Sequence, residues 1–166
     1  MNAALEKRLA AVRLFALDVD GVLTDGRIGY PDSGGEIKFF NVHDGYGLKR
    51  IMTTGITVAL ITARPSPASA NRARELGIEA YHEDVADKGA CLREVAAAAG
   101  VPLAACAYMG DDEPDLPALE LAGLAFAPAN AVAAVLEAAD WRARAKGGNG
   151  AVREACELLL AAGSPT

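Results

Sequence analysis

An apolar run, Phe15-Ala16-Leu17, ends in Asp18-Val19-Asp20-Gly21, so two carboxylates stand one residue apart where a strand would leave its sheet. In an extended chain alternate side chains share a face, so Asp18 and Asp20 can point at one spot. Held there without a counter-charge they repel, and a cation between them removes the conflict. Gly21 and the loop Val22-Leu23-Thr24-Asp25-Gly26 let a ligand approach the backbone closely. The mouth of an open α/β sheet is where ligands usually bind. Taken alone, the segment also admits a plainer reading, an acidic turn behind a buried strand.

Three further segments follow in chain order: Val58-Ala59-Leu60-Ile61-Thr62-Ala63-Arg64, Asp87-Lys88-Gly89, and Tyr108-Met109-Gly110-Asp111-Asp112-Glu113-Pro114-Asp115. Thr62 lies between an apolar run and a predicted helix, so its hydroxyl and the N–H of Ala63 can hold phosphate oxygens. Lys88, near a helix start, can offset charge on a nucleophile and on a phosphate. Each feature alone is common, and an isolated Lys88 would be read as a solvated surface lysine. Together, in this order and with three of the four behind apolar runs, they resemble the signature motifs of the haloacid dehalogenase-like phosphatase superfamily.

Phosphoryl transfer needs an in-line nucleophile, charge neutralisation on the equatorial oxygens and a proton for the leaving group. The resemblance makes Asp18 the nucleophile, forming an aspartyl-phosphate, and Asp20 the general acid and base. Five carboxylates around a phosphate dianion call for Mg2+, which takes oxygen ligands and often only one or two carboxylates. By resemblance its ligands are Asp18, Asp111 and the backbone carbonyl of Asp20. Asp112 and Asp115 are expected to orient neighbours or steady the loop, and Asp115 also suits an acidic helix N-terminus.

The elements that must position these groups follow from periodicity. Strands are predicted near 13–18, 57–62, 79–81, 105–110 and 123–127, with helices near 43–54, 66–76, 87–99, 115–121, 129–138 and 150–160. Strand followed by helix, repeated, predicts an α/β, Rossmann-like three-layer fold with a central parallel sheet. One segment breaks the alternation. Residues 26–30 and 36–40 flank Pro31-Asp32-Ser33-Gly34-Gly35, which reads as a β-hairpin flap at about 26–40. Ile28, Tyr30, Ile37, Phe39 and Phe40 on so short a unit suggest packing on its own domain or on another subunit.

With 166 residues and 52% hydrophobic content, the chain fits one domain over 1–166, because two separate cores would each be marginal. A net charge of −6 with no basic run argues against nucleic acid. Cys91, Cys106 and Cys156 are odd in number and widely spaced, so they read as core fillers in a reducing compartment. Charged residues precede the first apolar run and Asp18 ends it. That pattern fits neither a signal peptide nor a membrane span, and a cytoplasmic location is expected.

The stretch from Thr62 to Lys88 leaves no room for a large insert, so the haloacid dehalogenase-like core is expected to be capless. Phe40-Asn41-Val42-His43-Asp44-Gly45-Tyr46-Gly47 and Lys146-Gly147-Gly148-Asn149-Gly150-Ala151-Val152-Arg153-Glu154, with the flap, resemble the 3-deoxy-D-manno-octulosonate 8-phosphate phosphatases from about residue 12 to 160. The resemblance implies a Mg-dependent cytoplasmic homotetramer whose hairpins pack together and whose product goes into lipopolysaccharide. It also implies substrate contacts from Asn41, Val42, His43, Asp44, Gly45, Lys49, Arg64, Arg72 and Lys88. A sugar acid phosphate is anionic at both ends, so Lys88 can serve the phosphate while Arg64 and Arg72 serve the carboxylate. Solvated helix surface is the plainer reading of Lys49 and Arg72, and His43 could simply open its helix.

Relatives often carry a longer tail than the one ending at Thr166, so closure of a neighbouring site by the tail is in doubt. His82-Glu83-Asp84-Val85 and Asn149 also depart from the pattern and could change the rim. A nine-carbon ketoacid 9-phosphate phosphatase is the nearest alternative, and a non-catalytic oligomerisation module is another. A phospho-signalling receiver normally places its acidic pair and its acceptor on different strands, which Asp18 and Asp20 do not.

Overall fold

The structure, a computed structural model, describes residues 3–163. Six strands build its sheet: β1 (Leu14–Leu17), β2 (Thr57–Ile61), β3 (Ala80–His82), β4 (Cys106–Met109), β5 (Leu124–Ala127) and β6 (Trp141–Arg142). Their order is β3-β2-β1-β4-β5-β6, and every pairing is parallel. Every residue of β1, β4 and β5 is buried, as a parallel sheet covered on both faces requires.

Alternate strand residues divide between two cores. Phe15, Leu17, Leu60, Met109 and Phe126 face one side, where α1 (Ala3–Ala10), α2 (Val42–Met52), α3 (Pro67–Leu76) and α7 (Ala151–Gly163) contribute Leu9, Ile51, Leu76 and Val152. Leu14, Ala16, Ala59, Ile61 and Tyr108 face the other. There α4 (Lys88–Ala98), α5 (Leu116–Leu121) and α6 (Ala133–Ala138) contribute Leu92, Val95, Leu119 and Val135. The expected three-layer α/β fold is therefore the one observed.

Local chemistry sets the helix starts. Asn41, Ser66 and Asp87 accept from the N–H groups of His43, Ser69 and Ala90, and each is in an extended conformation at the N-cap. The chain passes from β1 outward to β2 and β3, then returns to β4 on the other flank of β1. The carboxyl ends of β1 and β4 thus frame the point where strand order reverses, and Thr62 extends the site from β2.

Some expected elements differ. Residues 26–40 are not two continuous strands. Gly29 and Ile37 form one antiparallel bridge, with N–H···O distances of 3.1 and 2.9 Å, because a two-stranded ribbon holds little order without a surface to cover it. The helix expected from 129 begins at Ala133, after a turn in which Ala131 N–H donates to Pro128. Helix α1 and the two-residue β6 were not expected, since neither carries a clear apolar period. Cys91, Cys106 and Cys156 are buried and free, and burial pushes their thiols above the usual pKa, consistent with core filling. No helix among the described residues is long and apolar enough to cross a membrane.

Candidate active site

Asp18 is the first residue beyond β1, and its N–H donates to Met109 O at 3.0 Å, which locks it to the end of β4. The chain then turns sharply, with the Val19 carbonyl accepting from Leu23 and Thr24 at 2.9 and 3.1 Å. Gly21 has φ +84°, and a Cβ there would lie 1.9 Å from Asp111 Oδ2, so only glycine lets the Asp111 carboxylate lie against this turn. Asn130 fastens the turn from behind. Its Nδ2 donates to Gly21 O at 3.3 Å while its Oδ1 accepts from Gly147 N–H at 2.6 Å.

Lys88 is buried at the first position of α4. Its Nζ lies 3.0 Å from Asp18 Oδ2 and donates to Asp115 Oδ1 at 2.7 Å. Asp115, wholly buried, also accepts from the Tyr108 hydroxyl at 2.8 Å and from the N–H groups of Asp111 and Asp112 at 3.0 and 3.2 Å. Asp112 caps the short turn Glu113–Asp115. Asp115 thus ties the loop N–H groups of Asp111 and Asp112 to the Lys88 ammonium.

Burial, then the charge of Asp115, pushes Asp18 up to about 7 despite the opposing Lys88 ammonium. Burial and the charges of Asp18 and Asp115 likewise push Asp111 up to about 7. Burial works against the Lys88 charge, but Asp18 and Asp115 outweigh it and its pKa is raised.

One oxygen each from Asp18, Asp111 and Asp115 lies within 4.8 Å of the others, a separation a metal ion could bridge. Asp115 is already committed to four donors, whereas the buried Oδ1 of Asp18 has no hydrogen-bond partner among the described residues. Asp18 and Asp111 are therefore the pair open to a hard cation, and an all-oxygen donor set suits Mg2+.

These groups share a cleft of about 270 Å³ lined by Asp18, Asp20, Gly26, Thr62, Ala63, Arg64, Lys88, Asp111, Asp112, Pro114 and Asp115. The Thr62 side chain accepts from Arg64 N–H at 3.3 Å. A model of the haloacid dehalogenase-like hydrolases matches residues 82–154. The chain is 42% identical to the 3-deoxy-D-manno-octulosonate 8-phosphate phosphatase KdsC of Yersinia pestis over 156 residues, covering 94% of this chain and 83% of that one. The chain belongs to the KdsC family of haloacid dehalogenase-like phosphatases.

Among solved KdsC-family structures, the phosphatase from Moraxella catarrhalis, in complex with magnesium, phosphate and KDO, superposes with a TM-score of 0.95 at 41% identity. That match covers 98% of this chain and 93% of the other. The cobalt-bound enzyme from Haemophilus influenzae gives 0.91 at 38% identity, covering 94% and 91%.

The structure brings nine of the expected residues into the cleft: Asp18, Asp20, Thr62, Ala63, Arg64, Lys88, Asp111, Asp112 and Asp115. Asn41, Val42, His43, Asp44, Gly45, Lys49 and Arg72 do not line it. Asp44, expected to touch substrate, is fully buried instead. Its two oxygens accept from Gly150 and Arg153 N–H at 3.3 and 2.8 Å, capping α7 from α2, and burial raises its pKa. Arg72 donates to Asn41 O and Glu75 and lies over the Phe40 ring, and Gly45 leaves room for its guanidinium. Asn41 is occupied in capping α2 and in donating to Gly148 O at 3.3 Å.

Sequence reasoning missed Lys38, whose buried ammonium pairs with Asp20. The alternation Ile37-Lys38-Phe39 could have exposed it, since Ile37 and Phe39 point outward and Lys38 must then point in. Asn130 and Tyr108 carry no sequence signal, because their roles depend on strands and loops distant in the chain.

Proposed function

We propose that the protein hydrolyses 3-deoxy-D-manno-octulosonate 8-phosphate to the free sugar acid and inorganic phosphate, with Mg2+, on a cytoplasmic route to lipopolysaccharide. The convergence of Asp18, Asp20, Thr62, Lys88 and Asp111 on one cleft, in a chain of the KdsC family, is the observation that carries this reading. The whole chain 1–166 is assigned to one phosphatase domain, with residues about 26–40 as its flap.

Asp18 and Asp111, with the backbone carbonyl of Asp20, would hold the metal, which supplies charge neutralisation for phosphate and carboxylates when bound. Thr62, the N–H of Ala63 and Lys88 bind phosphate oxygens and hold phosphorus over Asp18. An Asp18 oxygen forms a bond to phosphorus as the ester P–O bond breaks, and Asp20 gives its proton to the departing sugar oxygen. Asp20, now a carboxylate, takes a proton from a water that attacks phosphorus. The Asp18–phosphorus bond breaks, inorganic phosphate leaves, and both side chains are restored.

Arg64 at the cleft edge suits the sugar carboxylate. Contacts from Asn41, Val42, His43, Lys49 and Arg72 are assigned to the rim around the start of α2, brought to a site by assembly into a homotetramer, whereas Gly45, buried like Asp44, serves by leaving room for Arg72. Exposed Tyr30, Phe39, Val42 and Tyr46 on the flap and α2 support such an assembly.

The test is phosphate release from the octulosonate 8-phosphate, a nine-carbon ketoacid 9-phosphate and an aryl phosphate, with Mg2+ or chelator and with Asp18→Asn as blank. Preference for the octulosonate ester, lost with chelator and in the blank, is expected. Preference for the nine-carbon ester would overturn the substrate, and no hydrolysis at all would overturn the catalytic reading.

A further inference from the structure

Lys38 lies in the second arm of the flap, where no motif points to it. Its side chain is 0% exposed, yet it does not line the catalytic cleft. The ammonium lies 2.8 Å from Asp20 Oδ1, donates to Asp20 Oδ2 at 2.9 Å and to Ser69 Oγ at 3.3 Å, and stands 3.8 Å from Glu36 Oε1. Glu36 in turn accepts from the hydroxyl of Ser66, the N-cap of α3. The flap arm is thus tied at two successive inward positions to the first turn of α3, with Asp20 between.

Burying an ammonium is costly unless it is paired and hydrogen-bonded. A lysine facing solvent, as Ile37 and Phe39 do, would have avoided that cost. Asp20 faces the cleft on one side and meets Lys38 on the other, so the cation grips the carboxylate from behind without competing for the space a substrate fills. The two lysines divide the two carboxylates between them: Lys88 lines the cleft and pairs with Asp18, whereas Lys38 pairs with Asp20 outside it.

We propose that Lys38 is a positioning residue for proton transfer, holding the Asp20 carboxyl group where it can reach the leaving oxygen of the phosphate ester. This rests on the phosphatase reading above. The step it serves is transfer of the Asp20 proton to the sugar oxygen as the P–O bond breaks and the Asp18–phosphorus bond forms. Lys38 does not line the cleft in which the phosphate would lie, so its loss is expected to act on that transfer and not on phosphate binding. Because Lys38 belongs to the flap, the arm that carries it also ties the flap to the acid that completes the reaction.

The prediction turns on the leaving group. A sugar alcohol leaves poorly unless protonated, whereas nitrophenolate departs without a proton. The ratio kcat/KM covers steps only up to departure of the leaving group, so it isolates this transfer from the later attack of water. In Lys38→Met, kcat/KM for the octulosonate 8-phosphate is expected to fall by about 100-fold, and for p-nitrophenyl phosphate by less than about 3-fold. Lys38→Arg, which keeps a cation within reach, is expected to bring the ratio of the two back to within about 10-fold of wild type.

Retained aryl phosphatase activity shows that the variant is folded. If Lys38→Met does not accumulate in folded form, Lys38→Gln, which fills the space without the charge, is measured instead and read the same way. A parallel fall with both esters, or an unchanged ratio, would overturn the positioning role. The wild type with Asp18→Asn as blank tests the phosphatase reading separately. If the wild type prefers another alkyl phosphate, only the substrate assignment fails, and the ratio is taken with that ester.

Discussion

Asp115 makes four hydrogen bonds and is fully buried, so it is more constrained than the Asp18 and Asp111 carboxylates beside it. Removing it leaves the Lys88 ammonium paired with Asp18 alone and leaves two loop N–H groups unmatched. Asp115→Ala is expected to cost about 3–5 kcal/mol in urea unfolding, the range for breaking a buried ion pair, together with a large loss of activity. Unchanged stability would mean that Asp18 suffices for Lys88. The carboxylates left facing the cleft have the opposite effect on the metal-free protein. Asp18 and Asp111 are raised to about 7 in the folded state, well above their unfolded values, so the folded state holds more protons between those limits. The stability this represents is present below about pH 4 and is lost as pH rises through about 7. In chelator at pH 8, Asp111→Asn is therefore expected to be more stable than wild type by about 1–2 kcal/mol, with the gain shrinking toward pH 5. Thermal melts across that range would check it, and a gain that grows on acidification would contradict it.

At the scale of elements, the catalytic turn is held by parts of the chain far from it in sequence. Gly148 N–H donates to Val22 O at 3.0 Å, and a Cβ on Gly147 would come within 1.8 Å of Gly21 O. The loop before α7 therefore packs backbone to backbone against the loop after β1. Gly147→Ala must push the two apart, which typically costs about 1–3 kcal/mol, and is expected to lower kcat by at least about 10-fold because Asp18, the proposed nucleophile, opens that turn and Asp111 packs against its Gly21. Steady-state kinetics alongside urea unfolding would test this, and full activity would show that the turn tolerates the shift. The α2–α7 pair supports the same loop, since Asp44 on α2 accepts from the N–H groups of Gly150, just before α7, and of Arg153 in its first turn, and so fixes where the loop ends.

For the whole molecule, the flap makes little backbone pairing of its own yet presents large apolar side chains. Phe39 is 76% exposed, Val42 72% and Tyr30 70%, clustered on the flap and the start of α2. The assembly proposed above would cover them. Phe39→Asp places a charge in that surface and is expected to shift the proposed tetramer to smaller forms in sedimentation velocity, while the isolated chain keeps its circular dichroism. An unchanged tetramer would place the interface elsewhere.

Local chemistry made much of this protein legible in its sequence. Apolar runs ending in Asp18, Thr62 and Asp111 located three strand ends, because burial on both faces demands unbroken hydrophobic strands and the first polar residue marks where each leaves the sheet. The order of the motifs, with Lys88 opening a helix, was enough to set the fold and to name residues that meet in one cleft. The sequence could not show which carboxylate stays free, because Asp111, Asp112 and Asp115 differ only in the partners that folding brings to them. Nor could it show that Asp44 caps a helix more than 100 residues away, or that Lys38 turns inward onto Asp20. Those outcomes belong to tertiary structure: a buried charge goes where a partner awaits it, and partners distant in the chain meet only when the sheet and its helices close around them.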